Sequence, residues 1–330
     1  MKKCKVSDEE IQKYQAWAEK VQKMLQKDTN WEKQYEKYAI GIIEKGTKKI
    51  TRCRKKFRIP DPLACYLTLG NSINGKPVFD LRYLGQSVGE IQIKGDRPIL
   101  VVSKEKAAYF GYSEEPCEEP WESGDKAKDF RDFYKNRVDK SKFSRQHEHI
   151  IEARLFQELA KTRGTDKQLK YIQPIKFANC FTHMKTALAA SNAKEGKISV
   201  SERGGEIDIF CRRKTGNESR LTVIEVKDKP ERNESFKEAM FQAIAYAVFI
   251  RELIHTPYGS KWMEIWGIDD KRKNGITINA VVAIPVSDET IPDFCGQQIV
   301  LEDDIIELHY MALGKDVLDA DGAVYFETSL

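Results

Sequence analysis

Several patterns that identify common classes of protein are missing from this chain of 330 residues. No segment approaches the roughly 18 apolar residues of a membrane-spanning helix, and the N-terminus lacks the apolar run of a secretory signal. The seven cysteines are scattered and form no Cys-x-x-Cys pair, which disfavours a zinc site or a disulfide framework. There is no P-loop and no His-Glu-x-x-His motif. We therefore expect a cytoplasmic protein that has no membrane partner and does not hydrolyse ATP.

Positive charge is concentrated in the first 58 residues. They hold 17 Lys and Arg against 8 Asp and Glu, a net +9, although the whole chain carries only +4. The densest piece is the run KKITRCRKKFR at residues 48–58. This asymmetry indicates a polyanionic partner for the N-terminal part, and a solvated basic surface is the alternative.

Length and spacing predict an N-terminal α+β domain over residues 1–140. Ser7 and Glu10 have the spacing of a capping box, and apolar residues then recur at helical spacing as far as Leu25. A second helix is expected from Trp31 to Glu44, closed by Gly46. The remaining elements are short strands within 60–103, an exposed acidic loop at 111–128, a helix at 127–137 and a boundary in the polar stretch at 138–144.

The second domain, residues 141–330, has a more regular pattern that predicts an α/β fold. Setting aside an extended segment at 170–178, the order is helix, three strands, helix, strand. These elements are expected at 145–162, 197–201, 205–212, 220–227, 235–254 and 276–285. Residues 291–330 would add edge strands to this core.

Three charged residues lie on two of the apolar strands. Asp208 stands between Ile207 and Ile209, and Glu225 and Lys227 are two residues apart, so that they share one strand face. Burying charge is costly unless the charge is paired or binds a metal. Two carboxylates from adjacent strands form the hard-oxygen site that Mg²⁺ prefers, and solvated charges on a surface strand pair are the alternative.

Asp208 in the sequence GEID, followed by Glu225-Val226-Lys227, resembles the PD-(D/E)XK nuclease superfamily over residues 144–290. The resemblance implies a restriction-endonuclease-like αβββαβ core with a central mixed sheet. It also implies that Asp208 and Glu225 are metal ligands and that Lys227 is the catalytic lysine. Ile207 replaces the proline of the literal motif. Glu206 lies on the same strand face and is an alternative or additional ligand, but Asp208 is preferred because it lies deeper in the strand.

Two more matches extend the resemblance. The family often carries an inward-facing glutamate on the helix before the strands, and Glu152 is preferred here over Glu148 as a catalytic residue and third metal ligand. Gln242 and Tyr246 resemble the Q-x-x-x-Y element of RecB-type members, which would orient the site or contact the DNA backbone. The alternatives are a surface ion pair for the glutamate, and a core tyrosine with a glutamine bonded to a loop.

The expected function is therefore a Mg²⁺-dependent deoxyribonuclease, most simply an endonuclease, with Mn²⁺ as a substitute and DNA as the partner. Restriction, phage defence and repair are the roles that family analogy suggests, and a homodimer is compatible with it. Two alternatives stay open. One is a catalytically silent nucleic-acid-binding module with the nuclease fold, and the other is a nuclease released when a ligand binds the N-terminal domain.

Overall fold

The computed structural model describes residues 2–70, 77–95, 97–112, 116–137, 147–161, 171–178, 180–216, 218–228, 235–268, 275–286, 290–294, 296–314 and 326–330. Within these ranges, the α-helices are α1 (Asp8–Lys27), α2 (Asn30–Arg54), α3 (Lys104–Ala108), α4 (Asp125–Lys135), α5 (His147–Ala160), α6 (Phe236–His255) and α7 (Gly259–Trp266). The strands are β1 (Lys2–Lys5), β2 (Ala64–Leu69), β3 (Val78–Tyr83), β4 (Gln86–Lys94), β5 (Arg97–Val102), β6 (Cys117–Pro120), β7 (Ile172–Pro174), β8 (Lys176–Phe177), β9 (Cys180–Ala189), β10 (Ser199–Ile207), β11 (Ile209–Thr215), β12 (Glu218–Val226), β13 (Thr277–Pro285), β14 (Thr290–Asp293), β15 (Gln298–Leu301), β16 (Asp304–Leu313) and β17 (Phe326–Thr328). The expected α/β class is confirmed.

Two large sheets organise these elements. The first has the strand order β10-β9-β2-β3-β4-β5-β6, with β8 paired to β9, and the second has the order β15-β16-β13-β12-β11-β7, with β17 paired to β16. In the second sheet β11 and β12 are antiparallel, whereas β12, β13 and β16 are parallel, so this sheet is mixed. Consecutive strands β10 and β11 belong to different sheets, so the chain crosses from one sheet to the other between them.

The second sheet is covered by a helix on each face. Ile151 and Leu155 of α5 lie in one buried cluster with Ile224 and Val226 of β12. The opposite face packs against α6, whose residues from Ala243 to Leu253 are buried throughout. Because β13 is buried on both faces, its sequence is mostly apolar, as expected for a central parallel strand, and its one buried polar side chain, Asn279, donates a hydrogen bond to the Thr222 hydroxyl.

The first helix packs against α6. Ser7 and Glu10 form the capping box that their spacing predicts. The hydroxyl of Tyr14 donates a hydrogen bond to the backbone carbonyl of Lys237 at 2.8 Å, and Trp17 Nε1 donates one to the carbonyl of Phe241 at 2.8 Å. The aromatic residues of α1 thus join the N-terminal part of the chain to the C-terminal part.

The predicted domains 1–140 and 141–330 do not form two separately packed cores. Strand β2 pairs in parallel with β9, so the first sheet contains strands from both predicted domains. One buried cluster likewise contains Leu67 from the N-terminal part and Phe249 from the C-terminal part. The predicted boundary at 138–144 itself lies outside the described residues.

Several predicted element boundaries were wrong for identifiable reasons. Helix α2 continues through Gly46 to Arg54, because one glycine costs a helix only about 1 kcal/mol relative to alanine. Strand β9 was not predicted, since it is largely buried on both faces and lacks an alternating pattern. The region 111–128, which was expected to be an exposed loop, contains β6 and the start of α4. Strand β16, which was expected at an edge of the sheet, lies between β13 and β15.

Replacing Trp17 with alanine should lower the free energy of unfolding by about 3–5 kcal/mol, as is typical of buried aromatic side chains. The ring is only 5% exposed, and its hydrogen bond to α6 would be lost as well. Urea unfolding measures the change. Tyr109, which is 40% exposed, is the control, and its replacement by alanine should change stability by only about 0.5 kcal/mol. Equal effects of the two substitutions would contradict the packing of α1 on α6.

Candidate metal centre

Asp208 occupies the bend between β10 and β11, where the chain leaves the first sheet and enters the second. The single strand predicted over 205–212 is therefore wrong, because the strand breaks at this residue. Asp208 Oδ2 accepts a hydrogen bond from the backbone N–H of Val226 at 2.7 Å. Since Ile209 pairs with Ile224, this bond places the Asp208 carboxylate next to Glu225 at the end of β12.

The two glycines before this bend allow a close approach of three elements. Gly204 has a φ of +49°, and a Cβ there would lie 1.6 Å from the carbonyl oxygen of Thr186 on β9. A Cβ on Gly205 would lie 2.5 Å from the hydroxyl of Tyr246 on α6. The pairing of β9 with β10 shifts register between Val200 and Gly205. The glycine pair thus lets β10 deliver Asp208 close to α6 and β12.

Glu225 and Lys227 lie at the end of the central strand β12. Glu225 is 1% exposed, and Lys227 Nζ donates a hydrogen bond to Glu225 Oε1 at 2.6 Å. The backbone N–H of Lys227 continues the sheet by donating to the carbonyl of Ala283 at 2.9 Å. The two side chains therefore share a face, as the period of two predicts, while Ile224 and Val226 pack toward α5.

A third carboxylate comes from the first turn of α5. Glu148 Oε1 accepts a hydrogen bond from Lys227 Nζ at 3.3 Å. Glu148, Asp208 and Glu225 each offer a carboxylate oxygen, and these three atoms lie within 4.8 Å of one another. We call these three residues the acidic triad. They reach one point from a helix, a bend and a strand that are far apart in the sequence.

The acidic triad has three carboxylates, whose negative charge is only partly offset by Lys227. Burial, followed by the charges of Glu225 and Glu152, raises the pKa of Asp208 well above its ordinary value. Burial alone would lower the pKa of Lys227, but Glu225, Asp208 and Glu148 outweigh that effect and raise it. Lys227 therefore stays protonated, and a further positive charge at the triad would favour the ionised form of Asp208.

The donor set of the acidic triad fits a divalent cation. Carboxylate oxygens are the ligands that hard cations such as Mg²⁺ and Mn²⁺ prefer. Oxygen ligands of one Mg²⁺ or Ca²⁺ ion lie at most about 4–5 Å apart, so the triad oxygens, which are within 4.8 Å of one another, are close enough to share one ion. The residues select a hard divalent cation as a class rather than one particular ion.

Glu152, which the sequence favoured as the third ligand, lies in a different group of charges. Its Oε1 accepts a hydrogen bond from Arg82 Nη1 at 3.0 Å, and its Oε2 lies 3.4 Å from His149 Nδ1. Glu152 is about one helical turn beyond Glu148, a distance of about 6 Å along α5. The structure thus places Glu148 in the position for which Glu152 was preferred, and Glu152 acts on Asp208 only through its charge.

Arg82 is a charged residue of this region that sequence reasoning missed. It lies on β3 and contacts Asp80, Glu152 and Glu206, and we call these four residues with His183 the Arg82 cluster. Glu206, the alternative ligand on the strand of Asp208, also binds Lys185 at 3.0 Å. A signal was present in the run VFDLRY, where opposite charges two residues apart interrupt an apolar strand, as at Glu225 and Lys227.

Gln242 and Tyr246 lie beside the acidic triad on α6. Gln242 Nε2 donates a hydrogen bond to the hydroxyl of Tyr246 at 3.4 Å, and Tyr246 is 3% exposed. Burial, followed by the charge of Glu225, raises the pKa of Tyr246. Its hydroxyl therefore stays protonated, next to the backbone of Gly205.

No helix in the described part of the chain combines the length and apolar character needed to cross a membrane. Comparisons of the chain with protein-family models, with curated proteins and with solved structures find no match. The function is therefore inferred from the geometry of the acidic triad and from the sequence motif that contributes Asp208, Glu225 and Lys227.

His183 is a buried titratable group of the Arg82 cluster. It is 2% exposed, and its Nδ1 lies 3.3 Å from Glu206 Oε1. Burial, followed by the charge of Arg82, lowers the pKa of His183 to about 4, against the opposing effects of Glu206, Glu152 and Asp80. The imidazole is therefore neutral in the folded protein at neutral pH.

The free energy of unfolding should fall as the pH decreases from 6.5 toward 4. In this range the unfolded chain takes up a proton at His183 and the folded protein does not, so protonation favours the unfolded state. Between pH 7 and pH 5 this site should contribute a loss of about 2 kcal/mol, measured by urea unfolding. A His183→Gln variant should show a correspondingly weaker pH dependence. An unchanged pH dependence in that variant would contradict the assignment.

Proposed function

We propose that this protein is a divalent-metal-dependent nuclease that hydrolyses DNA phosphodiester bonds. The observation that carries the proposal is the acidic triad, Glu148, Asp208 and Glu225, with Lys227 hydrogen bonded to two of its members. A carboxylate group with one lysine on neighbouring strands is the arrangement implied by the resemblance to the PD-(D/E)XK superfamily.

The order of elements around the acidic triad supports a restriction-endonuclease-like core. Helix α5 precedes the bend at Asp208, β11 and β12 form an antiparallel pair, and α6 and α7 lie between β12 and the parallel strand β13. This arrangement is compatible with the αβββαβ order expected from the sequence. The region 170–207 adds β7, β8, β9 and β10, of which only a strand near β10 was expected as part of the core.

Each side chain of the site has a distinct role in this proposal. Glu148, Asp208 and Glu225 would hold the cation, which when bound polarises the scissile phosphate and lowers the pKa of the attacking water. Lys227, which donates hydrogen bonds to Glu148 and Glu225, would offset negative charge in the transition state and would position the attacking water or help to deprotonate it. Tyr246, hydrogen bonded to Gln242, lies against the backbone of Gly205, three residues before Asp208, and would help to orient this segment.

DNA is the proposed substrate because the superfamily that the motif resembles acts mostly on DNA. The end of α2 and the segment after it carry exposed Arg52, Lys55, Lys56 and Arg58, which suit contacts with phosphate groups. Endonucleolytic cutting, a homodimer and a role in restriction, phage defence or repair belong to the same proposal by analogy.

The proposal is tested by cleavage of supercoiled plasmid, linear duplex and single-stranded DNA, and of RNA, with Mg²⁺, Mn²⁺ or EDTA. Cleavage should require the metal and should fall by about 10²–10³-fold in Asp208→Asn and in Lys227→Ala, since each removes a group that stabilises the transition state. Glu218→Gln is the matched control, because Glu218 lies on β12, the strand of Glu225, but its side chain is 72% exposed.

Cleavage that survives both substitutions would overturn the assignment of the site. DNA binding by the wild type without cleavage in any metal would favour the catalytically silent binding module instead. A preference for RNA would keep the site and change the substrate.

A further inference from the structure

Arg82 has four hydrogen-bonded contacts in a buried setting. It is 7% exposed, and its Nε donates to Asp80 Oδ2 at 2.8 Å. Nη1 donates to Glu152 Oε1 at 3.0 Å and to the carbonyl of Gly85 at 3.2 Å, while Nη2 donates to Glu206 Oε1 at 2.9 Å. The guanidinium group therefore binds three carboxylates that come from β3, α5 and β10.

Two of these carboxylates are close neighbours of the acidic triad in the chain. Glu152 lies one turn after Glu148 on α5, and Glu206 lies two residues before Asp208 at the end of β10. His183 lies between the same two glutamates, with Nε2 at 3.9 Å from Glu152 Oε1 and Nδ1 at 3.3 Å from Glu206 Oε1. Arg82 thus spans the elements that carry Glu148 and Asp208.

We propose that Arg82 is a positioning residue for the metal site. By joining Glu152 to Glu206, it fixes α5 against β10 and so sets the separation between the carboxylates of Glu148 and Asp208. This inference rests on the proposed function, because it assumes that the acidic triad binds a cation. It gives the N-terminal part of the chain, which contributes β3, a direct effect on the affinity of the site.

The chemistry of arginine suits this role better than that of lysine. A planar guanidinium group presents its N–H donors in fixed, diverging directions, whereas a lysine ammonium is a compact point charge on a flexible stem. A lysine at position 82 would keep the charge but could not hold Glu152 and Glu206 in the same relative positions. Outer residues that orient metal ligands typically contribute about 10–100-fold to metal affinity.

The chain provides a matched control for a purely structural effect. Arg251 on α6 is 2% exposed, its Nε donates to Asp304 Oδ2 at 2.7 Å, and its Nη2 donates to Glu302 Oε2 at 3.0 Å. It also pairs with Glu252. These partners neither belong to the acidic triad nor flank it in the sequence, so replacing Arg251 disturbs a similar buried ion-pair group without acting on Glu148 or Asp208.

The experiment compares Mn²⁺ binding by the full chain in the wild type, Arg82→Lys, Arg251→Lys and Glu148→Gln. Binding is measured directly by electron paramagnetic resonance of free Mn²⁺, and folding is followed by urea unfolding. We expect Arg82→Lys to weaken Mn²⁺ binding by about 10–100-fold, and Arg251→Lys to keep the wild-type affinity. Cleavage by Arg82→Lys should recover at high Mn²⁺ concentration, because its catalytic groups remain.

Should Arg82→Lys fail to fold, Glu206→Gln tests the same link, since its side chain is 25% exposed and the substitution removes the charge that Arg82 binds. Its Mn²⁺ affinity should also be lower than that of the wild type. Wild-type affinity in these variants, with weakened binding in Glu148→Gln, would overturn the role of Arg82 and leave the proposed function intact. Equal weakening by Arg251→Lys would also overturn that role. A wild type that does not bind Mn²⁺ would overturn both proposals.

Discussion

The hydrogen bond from the Val226 N–H to the Asp208 carboxylate is the interaction on which the rest of the candidate site depends. It lies at the one bend where β10 of the first sheet continues into β11 of the second, and it ties this bend to the end of the central strand β12. Together with the pairing of Ile209 with Ile224, it fixes the position of Asp208 relative to Glu225. The glycines at 204 and 205 are part of the same constraint, because a side chain at either would collide with β9 or α6 and push the bend away.

Charge compensation is the second constraint on this region. Burying ionised groups is unfavourable unless each meets an opposite charge or a hydrogen-bond donor. Arg82 meets this requirement for Glu152 and Glu206. Burial alone would raise the pKa of Glu206, but Arg82, His183 and Lys185 hold it well below its ordinary value. Lys227 offsets only part of the negative charge of the acidic triad, and the pKa of Asp208 is therefore raised. The Arg82 cluster, in which the carboxylates are paired with positive charge, thus lies beside the acidic triad, in which the negative charge is only partly offset. This combination suits a stable frame around a cation site.

The sequence was most informative where periodicity and charge coincide. Glu225 and Lys227 share a face because strands have a period of two, and the buried strand β13 was recognisable from its mostly apolar, β-branched sequence. The break at Asp208 was missed because apolar residues on both sides of it continue the strand pattern, and only the three-dimensional pairing assigns them to different sheets. Glu148 and Glu152 lie one turn apart, so helical periodicity could not choose between them; Arg82, some 70 residues away in sequence, makes that choice by binding Glu152.

The claim that Glu148, Asp208 and Glu225 form a metal centre is tested most directly by a crystal structure. The crystals would be grown with Mn²⁺, and the diffraction data would be recorded with anomalous scattering. We expect an anomalous peak among the carboxylates of Glu148, Asp208 and Glu225. A peak coordinated by Glu152 or Glu206 in place of Glu148 would show that the wrong helix or strand carboxylate has been assigned. The absence of any peak at the acidic triad, in crystals that contain Mn²⁺, would contradict the claim that these residues form a metal centre.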